Sequence, residues 1–405
     1  MPEQAAGRTR RAVVFGAGAV GRGFIAPLFS AAGWHVTFVD VMDALVSRLD
    51  GEGGYQQVTV DNRGRRAATI SPVAALHLRN SAAVAAALCE ADMAATCVGA
   101  AHLPGLAPVL AEGLRARQRA GRGALDMLLC ENLHDAPGVL RRALDAAHGG
   151  DTTSLVGLSA TSIGRMIPRA SGEDADLTGV AVEPYAQLPY DAAALRGNAP
   201  DVPGLVPIRE NFEAYADRKL YVHNMGHCML AYLAHRKSLR YVWEAVADLE
   251  LRYLVRAAML ESAAAVSRVH GMEPGPLQHH VNDLLHRFTN RELGDTAQRV
   301  GQDPVRKMQP DDRLIGAYLL CKRAQVPFLH VSLGVALGAH QLETEAGWPA
   351  SEVEAHLERH LFQDSERDDG ARRLLADQLQ LVREGAPLVE QIARIDAEYL
   401  EPWVV

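Results

Sequence analysis

Short apolar runs alternate with helical patterns in the first half of the chain. Residues 11–15 (RAVVF) and 35–39 (HVTFV) are rich in β-branched and aromatic side chains and have the length of a strand. An alanine-rich helical stretch, 81–88, precedes a further apolar run. The segments that we expect to form one sheet are 11–15, 35–39, 93–98, 124–129, 155–167 and 180–185. Strands that alternate with helices predict a doubly wound parallel sheet of the α/β class.

The pattern changes after 196–207 (RGNAPDVPGLVP), a glycine- and proline-rich stretch that is the best linker candidate. Beyond it, strand patterns nearly vanish and apolar positions recur at helical spacing. The long segments predicted to be helices are 238–269, 277–289, 311–324 and 352–361. We therefore expect two domains, the sheet domain at 1–196 and a mostly α-helical domain at 197–405.

Length and composition agree with two globular domains. At 405 residues the chain exceeds the size at which a single core usually splits. Apolar residues make up 48% and charged residues 22%, and no apolar run approaches the roughly 20 residues of a membrane span. The start, MPEQAAGRTRR, lacks the apolar core of a secretory signal. We expect a cytoplasmic protein without a membrane partner.

Charge and cysteine usage narrow the choice of ligand. A formal net charge of -8 provides no basic surface for a nucleic-acid backbone, so a small molecule is the better partner. Five scattered cysteines without a Cys-x-x-Cys pair argue against a disulfide framework and a structural zinc site. His279, His280 and His286 have no carboxylate at a ligand spacing, and we interpret them as surface histidines. We expect no metal and a monomer or small homo-oligomer.

A glycine-rich turn follows the first predicted strand directly. Gly16 permits the turn, Gly18 lets the backbone approach a pyrophosphate, and Gly21 allows close packing of the next helix. Ala19 and Val20 complete the turn, where a helix N-terminus faces the phosphates. The pattern predicts a dinucleotide site, and the alternative is a glycine turn without a ligand.

The second predicted strand ends in Asp40, near the spacing of ~20 residues at which an acid binds the ribose hydroxyls. A carboxylate there repels a 2′-phosphate, and nothing basic follows it in Val41, Met42 and Asp43. The sequence therefore predicts NAD as the cofactor, in preference to NADP. Residues 1–196 are expected to form a Rossmann-type NAD-binding domain.

Three residues close later strands of the predicted sheet. Gly99 follows the run at 93–98, and Glu131 and Asn132 follow the run at 124–129. Because the carboxyl ends of parallel strands line the ligand crevice, these positions are candidates for cofactor or substrate contact. A capping turn without a ligand is the alternative.

The stretch at 217–228 (DRKLYVHNMGHC) concentrates proton-handling side chains. On an α-helix, Lys219, Asn224 and His227 fall within an arc of about 140°. Lys219 takes a proton if burial lowers its pKa, Asn224 holds a developing oxyanion with its amide, and His227 relays a proton or steadies the substrate. The alternative is a partly exposed helix whose histidine only forms structural hydrogen bonds.

Several motifs in order resemble the polyol-specific long-chain dehydrogenases, the mannitol dehydrogenase family. They include FGAGAVGRGF at 15–24, CEN at 130–132, the Lys219, Asn224 and His227 spacing, and RVGQDPVRKM at 299–308. The resemblance runs from residue 11 to near residue 345. It implies a Rossmann domain followed by a helical domain, no zinc, and hydride transfer between NAD(H) and a secondary alcohol.

Carried onto this sequence, the resemblance makes Lys219 the general base. Asn132 and Asn224 match the oxyanion pair of the family, and His227 matches the histidine that helps to bind and orient the alcohol. These roles agree with the chemistry argued from the residues themselves.

The resemblance also suggests substrate contacts, with two departures. Arg287 and Asn290, in RFTN, and Arg165 are the substrate candidates. Gly164 stands where relatives commonly have an aspartate, and Ala19 stands where they commonly have an asparagine. The substrate therefore stays open between a sugar-alcohol phosphate (mannitol 1-phosphate/fructose 6-phosphate type), another sugar alcohol and a cyclitol.

Two other functions compete with the polyol dehydrogenase. A β-hydroxyacid dehydrogenase also joins a Rossmann domain to helices and uses lysine and asparagine, and turnover of hydroxyacids but not polyols would identify it. A non-catalytic NAD-sensing protein would keep the fold, although mere binding would not require the set at 219–227. Absorbance of NADH during an assay separates catalysis from sensing.

Overall fold

The computed structural model describes residues 8–168, 177–363 and 368–398. The chain divides into two compact units between Phe212 and Glu213, and each has its own core. The expectation of no secretory signal concerns the first residues of the chain, of which 1–7 lie outside the described residues.

The first unit contains the strands of the described chain. They are β1 Arg11–Phe15, β2 His35–Asp40, β3 Tyr55–Asp61, β4 Gly64–Ile70, β5 Val73–His77, β6 Met93–Thr96, β7 Leu125–Leu129, β8 Val156–Ala160, β9 Val180–Val182, β10 Leu188–Asp191 and β11 Leu205–Ile208. Its helices are α1 Ala26–Ala31, α2 Asp43–Glu52, α3 Ser81–Glu90, α4 Ala107–Arg119 and α5 Ala136–His148.

Six strands form one parallel sheet in the order β5-β2-β1-β6-β7-β8. The order reverses between β1 and β6, and in an open α/β sheet such a switch point opens the crevice where ligands bind. β7 is buried along its whole length, as expected for a parallel strand with helices on both faces. The sheet therefore sets the glycine turn after β1 beside the ends of β6 and β7.

Two apolar layers cover the two faces of the sheet. Successive side chains of a strand point to opposite faces, and β1 divides accordingly. Val14 packs into one layer with Phe29 and Phe38, whereas Phe15 packs into the other with Leu110. This alternation is why five nearly continuous apolar residues suffice for a central strand.

Two sequence expectations about the first unit are wrong. The segment 180–185 does not complete the main sheet, because β9 pairs with β3 in a separate three-stranded sheet that also contains β4. Residues 205–207 are not linker, because β11 pairs in parallel with β10. The sequence analysis also missed the β3–β4 hairpin, whose second strand is exposed along almost its whole length and lacks an apolar alternation.

The described part of the second unit is built of helices. They are α6 Glu213–Asp217, α7 Met225–Arg236, α8 Val242–Ala247, α9 Leu249–His270, α10 Pro274–Phe288, α11 Ala297–Gly301, α12 Pro304–Lys307, α13 Ile315–Ala324, α14 Leu329–Thr344, α15 Ala350–Leu361, α16 Asp369–Arg383 and α17 Leu388–Glu398. A π-helix, Arg218–Asn224, joins α6 to α7.

The long helix expected at 238–269 is two helices. Asp248 ends α8 in an extended conformation, and its side chain accepts hydrogen bonds from the backbone N–H groups of Glu250 and Leu251 at the start of α9. An aspartate that caps a new helix in this way interrupts the apolar pattern without changing its period. The periodicity alone therefore did not reveal the break.

Helix α14 forms the centre of the second unit. Nearly all of its residues are buried, and a mostly apolar helix that is buried on every side belongs in the middle of a core. Gly338 lies against the buried side chains of Met308 and Leu314, where a Cβ would be 2.7 Å from Leu314 Cδ1. In the described residues, no helix combines the length and apolar character needed to cross a bilayer.

Candidate active site

The glycine turn has the backbone that a dinucleotide site requires. Gly16 has a φ of +91°, and a Cβ on it would collide with the carbonyl group of Cys97 after β6. A Cβ on Gly21 would collide with the carbonyl oxygen of Gly16. Gly18 has no atom within 4 Å of its Cβ position, so its backbone is open to a ligand. Ala19 is exposed and Val20 is partly buried at the start of the following helix.

Asp40 ties the end of β2 to this turn. Its Oδ2 accepts the N–H of Ala17 at 2.7 Å, and its Oδ1 accepts the N–H groups of Val41 and Met42 at 2.7 and 3.0 Å. A carboxylate has about four lone-pair sites, so these three bonds leave acceptor capacity for a ribose hydroxyl. The residue therefore both shapes the turn and offers the negative group that the sequence analysis expected.

Glu131 holds the chain that follows β6. Its side chain is buried, and its two oxygens accept the N–H groups of Val98 at 3.0 Å and Gly99 at 2.7 Å. Gly99 has a φ of +89°, which favours glycine. These contacts agree with a role that fastens the loop, and direct cofactor contact by Glu131 stays a prediction. Asn132 follows in an exposed position.

The α-helical geometry expected for 217–228 is wrong in its first half. Residues Arg218–Asn224 form a π-helix, and the N–H of Met225 reaches back to the carbonyl of Leu220, five residues earlier. In a π-helix, residues five apart lie nearly one turn apart, so Lys219 and Asn224 lie closer on one face than the α-helical angle implied. The extra residue per turn is the reason for the difference.

Lys219 is only partly exposed, and burial lowers the pKa of its amine to about 8. The positive charge of Arg313 lowers the pKa further, and the carboxylate of Asp312 opposes that effect. Arg313 Nε lies 2.7 Å from Asp312 Oδ1, so the two charges act on the lysine as a pair. At pH 7 a lysine with this pKa is neutral in about a tenth of the molecules, and the neutral amine can accept a proton.

His227 is positioned by two contacts that the sequence did not indicate. Its Nε2 lies 3.1 Å from Oδ2 of Asp295, and its ring stacks on Phe288 with centroids 4.8 Å apart and an angle of 13° between the rings. A carboxylate at this distance favours the tautomer with the proton on Nε2, which leaves Nδ1 as an acceptor.

Asp295 is nearly buried and also pairs with Arg299. Burial alone would raise the pKa of this carboxyl, but the hydrogen bond and charge of His227, with the charge of Arg299, keep the pKa below its usual range. Asp295 is therefore a carboxylate beside His227. It lies 68 residues later in the chain, and no local pattern links the two.

His223 is a further buried group that the sequence analysis did not single out. Burial, and then the charge of Arg287, holds the pKa of His223 well below its ordinary value, so the ring is neutral. Its centroid lies 6.2 Å from His227 and 5.9 Å from Phe288. The spacing of four residues from both Lys219 and His227 was a signal that could have found it.

The structure distributes the substrate candidates over both units. Arg287 is buried on α10, with Nη1 3.5 Å from Asp283. Asn290 is buried, and its side chain accepts the N–H of Glu292 as the cap of a short 3₁₀ turn. In the second unit, the electrostatic influence of Arg287 on His223 links this candidate to the helix of Lys219.

Arg165 belongs to the first unit and bonds to backbone. Its guanidinium donates to the carbonyl of Glu183 at 2.9 and 2.7 Å and to the carbonyl of Gly23 at 2.9 Å, and it lies over the ring of Phe24. This bonding is typical of an arginine that fastens loops. Its substrate role stays a prediction that these contacts do not favour.

One of the expected surface histidines is buried in part. Burial, with the charges of Arg218 and Arg287, lowers the pKa of His280 to about 3, and its Nε2 is shielded from solvent. The prediction of a surface histidine is wrong for His280 because α10 turns this side chain toward the helix that carries Arg218. His279 and His286 are exposed.

Within residues 8–168, 177–363 and 368–398, no group of three or more His, Cys, Asp or Glu side chains is placed to hold a metal ion. All five cysteines are free thiols, and Cys130, Cys228 and Cys321 are buried.

Family models match almost the whole chain. A model of the mannitol dehydrogenase Rossmann domain matches residues 10–204, and a model of the mannitol dehydrogenase C-terminal domain matches residues 211–397. The chain belongs to the mannitol dehydrogenase family. This confirms the family and fold class that the motifs predicted.

Curated relatives in the mannitol dehydrogenase family are similar over most of their length. A mannitol-1-phosphate 5-dehydrogenase of Shouchella clausii is 33% identical over 310 residues, which cover 75% of this chain and 81% of the relative. That of Paenarthrobacter aurescens is 35% identical over 326 residues, covering 78% of this chain and 83% of the relative.

Solved structures share the fold at low identity. The Pseudomonas fluorescens mannitol 2-dehydrogenase, in a ternary complex with NAD and D-mannitol, has a TM-score of 0.72 at 18% identity, covering 97% of this chain and 95% of that one. A D-sorbitol dehydrogenase in substrate-free form has a TM-score of 0.75 at 17% identity, covering 94% and 95%. As a mannitol dehydrogenase family member, the chain is an NAD-dependent oxidoreductase acting on the CH–OH group of a polyol.

Proposed function

We propose that this protein interconverts a sugar-alcohol phosphate and the corresponding keto-sugar phosphate with NAD(H), the mannitol 1-phosphate/fructose 6-phosphate type of reaction, without zinc. The observation that carries the chemistry is a partly buried lysine with a pKa of about 8 on one helix face with Asn224. In oxidation, a secondary alcohol loses a hydride from carbon and a proton from oxygen, and the products are a ketone, NADH and a proton.

The cofactor fits the first unit of the chain. The open backbone at Gly18 and the carboxylate of Asp40 suit a pyrophosphate and a ribose, respectively. When bound, NAD supplies the hydride acceptor. The protein contributes the proton transfer and the polar groups that hold the alcohol.

Lys219 accepts the hydroxyl proton, because its lowered pKa of about 8 leaves part of the amine neutral at neutral pH and most of it neutral above that value. Asn224 donates its amide N–H groups to the substrate oxygen as negative charge develops there, and Asn132 is proposed as its counterpart. His227, held by Asp295, presents Nδ1 as an acceptor and orients the alcohol. The roles of Lys219, Asn224 and His227, all in the second unit, concern charge or a proton on the substrate oxygen.

Two observations favour a phosphorylated substrate. The curated relatives of 33% and 35% identity are named for mannitol 1-phosphate. Arg218, on the helix of Lys219, and Arg287 are close enough to His280 that their charges, after burial, lower its pKa. A positive region formed by arginines suits a phosphate, which accepts paired hydrogen bonds from guanidinium groups.

A substrate panel tests the proposal. The NADH absorbance is followed with mannitol 1-phosphate, mannitol, other polyols, cyclitols and hydroxyacids. We expect kcat/KM for mannitol 1-phosphate to exceed that for mannitol on the order of 10²-fold, because a hydrogen bond to a charged group contributes about 1.5–3 kcal/mol and about 1.4 kcal/mol is tenfold. Equal use of mannitol would remove the phosphate from the proposal, and turnover of hydroxyacids alone would reject the polyol.

Two arginine variants test where the phosphate of the substrate binds. Arg218→Ala and Arg287→Ala should each lower kcat/KM for the phosphate more than for the free polyol. The matched control is Arg256→Ala, which replaces an exposed arginine that contacts Asn282.

The cytoplasmic location and the oligomeric state, a monomer or small homo-oligomer, stay predictions.

A further inference from the structure

The edge of the main sheet brings distant residues to the corner occupied by Asp40. β5 pairs with β2 in parallel, and His77 is the register partner of Asp40. The N–H of Leu78 donates to the carbonyl of Asp40 at 2.9 Å. The chain that leaves β5 therefore passes directly beside the carboxylate proposed to bind the ribose.

This chain delivers two basic side chains that the local sequence after Asp40 lacks. His77 Nε2 lies 2.9 Å from the carbonyl of Val41, and His77 Nδ1 accepts the N–H of Arg79 at 3.0 Å. The guanidinium of Arg79 pairs with both oxygens of Asp43, at 2.6 and 3.2 Å. Asp43 also lies 3.5 Å from His77 Nε2. The carboxylate of Asp43 is therefore close to both basic side chains of this corner, His77 and Arg79.

We propose that NAD is selected over NADP by two carboxylates, Asp40 and Asp43, and that Arg79 is a latent ligand for a 2′-phosphate which Asp43 keeps engaged. This inference rests on the proposed NAD site. It identifies Asp43 and Arg79 as determinants of cofactor specificity, although they are 36 residues apart in the sequence.

The ion pair is well suited to exchange partners. The side chains of Arg79 and Asp43 are 69% and 63% exposed, and a pair this exposed contributes little to stability. A phosphate dianion accepts the same forked hydrogen bonds with more charge, so it competes well for a guanidinium that is not held elsewhere. In the native protein, an arriving 2′-phosphate meets two carboxylates together with an arginine already paired.

The test uses full-length protein and nucleotide probes that differ only in the 2′-phosphate. Affinities for 2′,5′-ADP and 5′-AMP are measured by displacement of NADH fluorescence, and Kd values for NADPH and NADH are measured directly. Asp43→Asn should improve binding of 2′,5′-ADP relative to 5′-AMP by about tenfold, and added salt should reduce the gain. Adding Arg79→Ala to Asp43→Asn should abolish it.

Glu52→Gln is the matched control. Glu52 lies on the same helix as Asp43, it forms an exposed ion pair with Arg48 at 2.8 Å, and its loss changes the net charge equally. If Asp43→Asn leaves the probe ratio unchanged, if Glu52→Gln changes it as much, or if the gain survives Arg79→Ala, the inference is wrong. Failure of the wild-type protein to bind NADH at all would instead reject the proposed function along with it.

Discussion

At the scale of single residues, the pKa of Lys219 makes the clearest prediction. Because the amine titrates at about 8, the rate of alcohol oxidation should rise with pH and reach a plateau through one ionisation near that value. Lys219→Ala should remove both that ionisation and most of kcat while leaving the Kd for NADH nearly unchanged. The measurement is a pH profile of kcat and kcat/KM for both proteins.

A near-normal rate and the same pH profile in Lys219→Ala would assign the proton transfer to another group, with His227 next in line. Lys237→Ala is the control, since Asp248 and Glu250 hydrogen-bond its amine and raise its pKa. That variant should keep the pH profile of the wild-type protein.

The same lysine should reduce the stability of the fold. Its folded pKa lies below the ordinary 10.5, so the native state binds fewer protons, and the free energy of unfolding should rise with pH between about 8 and 10.5. Lys219→Met should therefore raise the urea midpoint at pH 7 by an amount equivalent to about 1–3 kcal/mol, and the gain should shrink toward pH 10. Lys237→Met should lower the midpoint, because its pKa is raised.

The pairing of His227 with Asp295 makes a prediction about kcat. Asp295→Asn removes the negative charge that favours a proton on Nε2, so the imidazole should lose its preferred tautomer and orientation. We expect kcat to fall about tenfold or more, with a smaller change in KM. An unchanged kcat, measured at saturating substrate, would show that Asp295 stabilises only the fold.

At the scale of elements, the crowded face of α14 separates packing from helix propensity. Gly338→Ala should destabilise the protein by about 1–3 kcal/mol, because its Cβ would meet the buried side chains of Met308 and Leu314. Gly275→Ala on α10 is the control, since nothing lies within 4 Å of its Cβ position. It should be neutral or slightly stabilising. Urea unfolding of both variants provides the comparison.

Element boundaries show where periodicity stops being informative. The strands β1, β2, β6 and β7 and the helices α10, α13 and α15 were predicted within a few residues, because burial on one or both faces imposes a clear apolar pattern. Other long helices, among them α14 and α16, were not predicted. The strand β4 was not predicted, because it is exposed and pairs through its backbone. The π-helix was not predicted either, since a single turn with one extra residue leaves the apolar pattern nearly unchanged.

At the scale of the whole molecule, zinc independence is the remaining test of chemistry. The proposed reaction uses Lys219 as base and asparagine amides for the oxyanion, so it requires no metal ion as a Lewis acid. Full activity should survive exhaustive chelation, and the protein should carry no stoichiometric zinc by elemental analysis. Activity that is lost on chelation and restored only by Zn²⁺ would contradict the proposal.

The sequence by itself determined the class of fold, the glycine turn, Asp40 and the lysine helix. Each of these depends on residues close together in the chain, where spacing alone carries the physical constraint. Tertiary structure decided the environment of those residues. The partners that set their chemistry come from distant segments of the chain: Asp295 beside His227, Arg313 near Lys219 and Arg79 at the corner of Asp40. Because burial and charge act through space, the local spacing of residues in the sequence does not predict them.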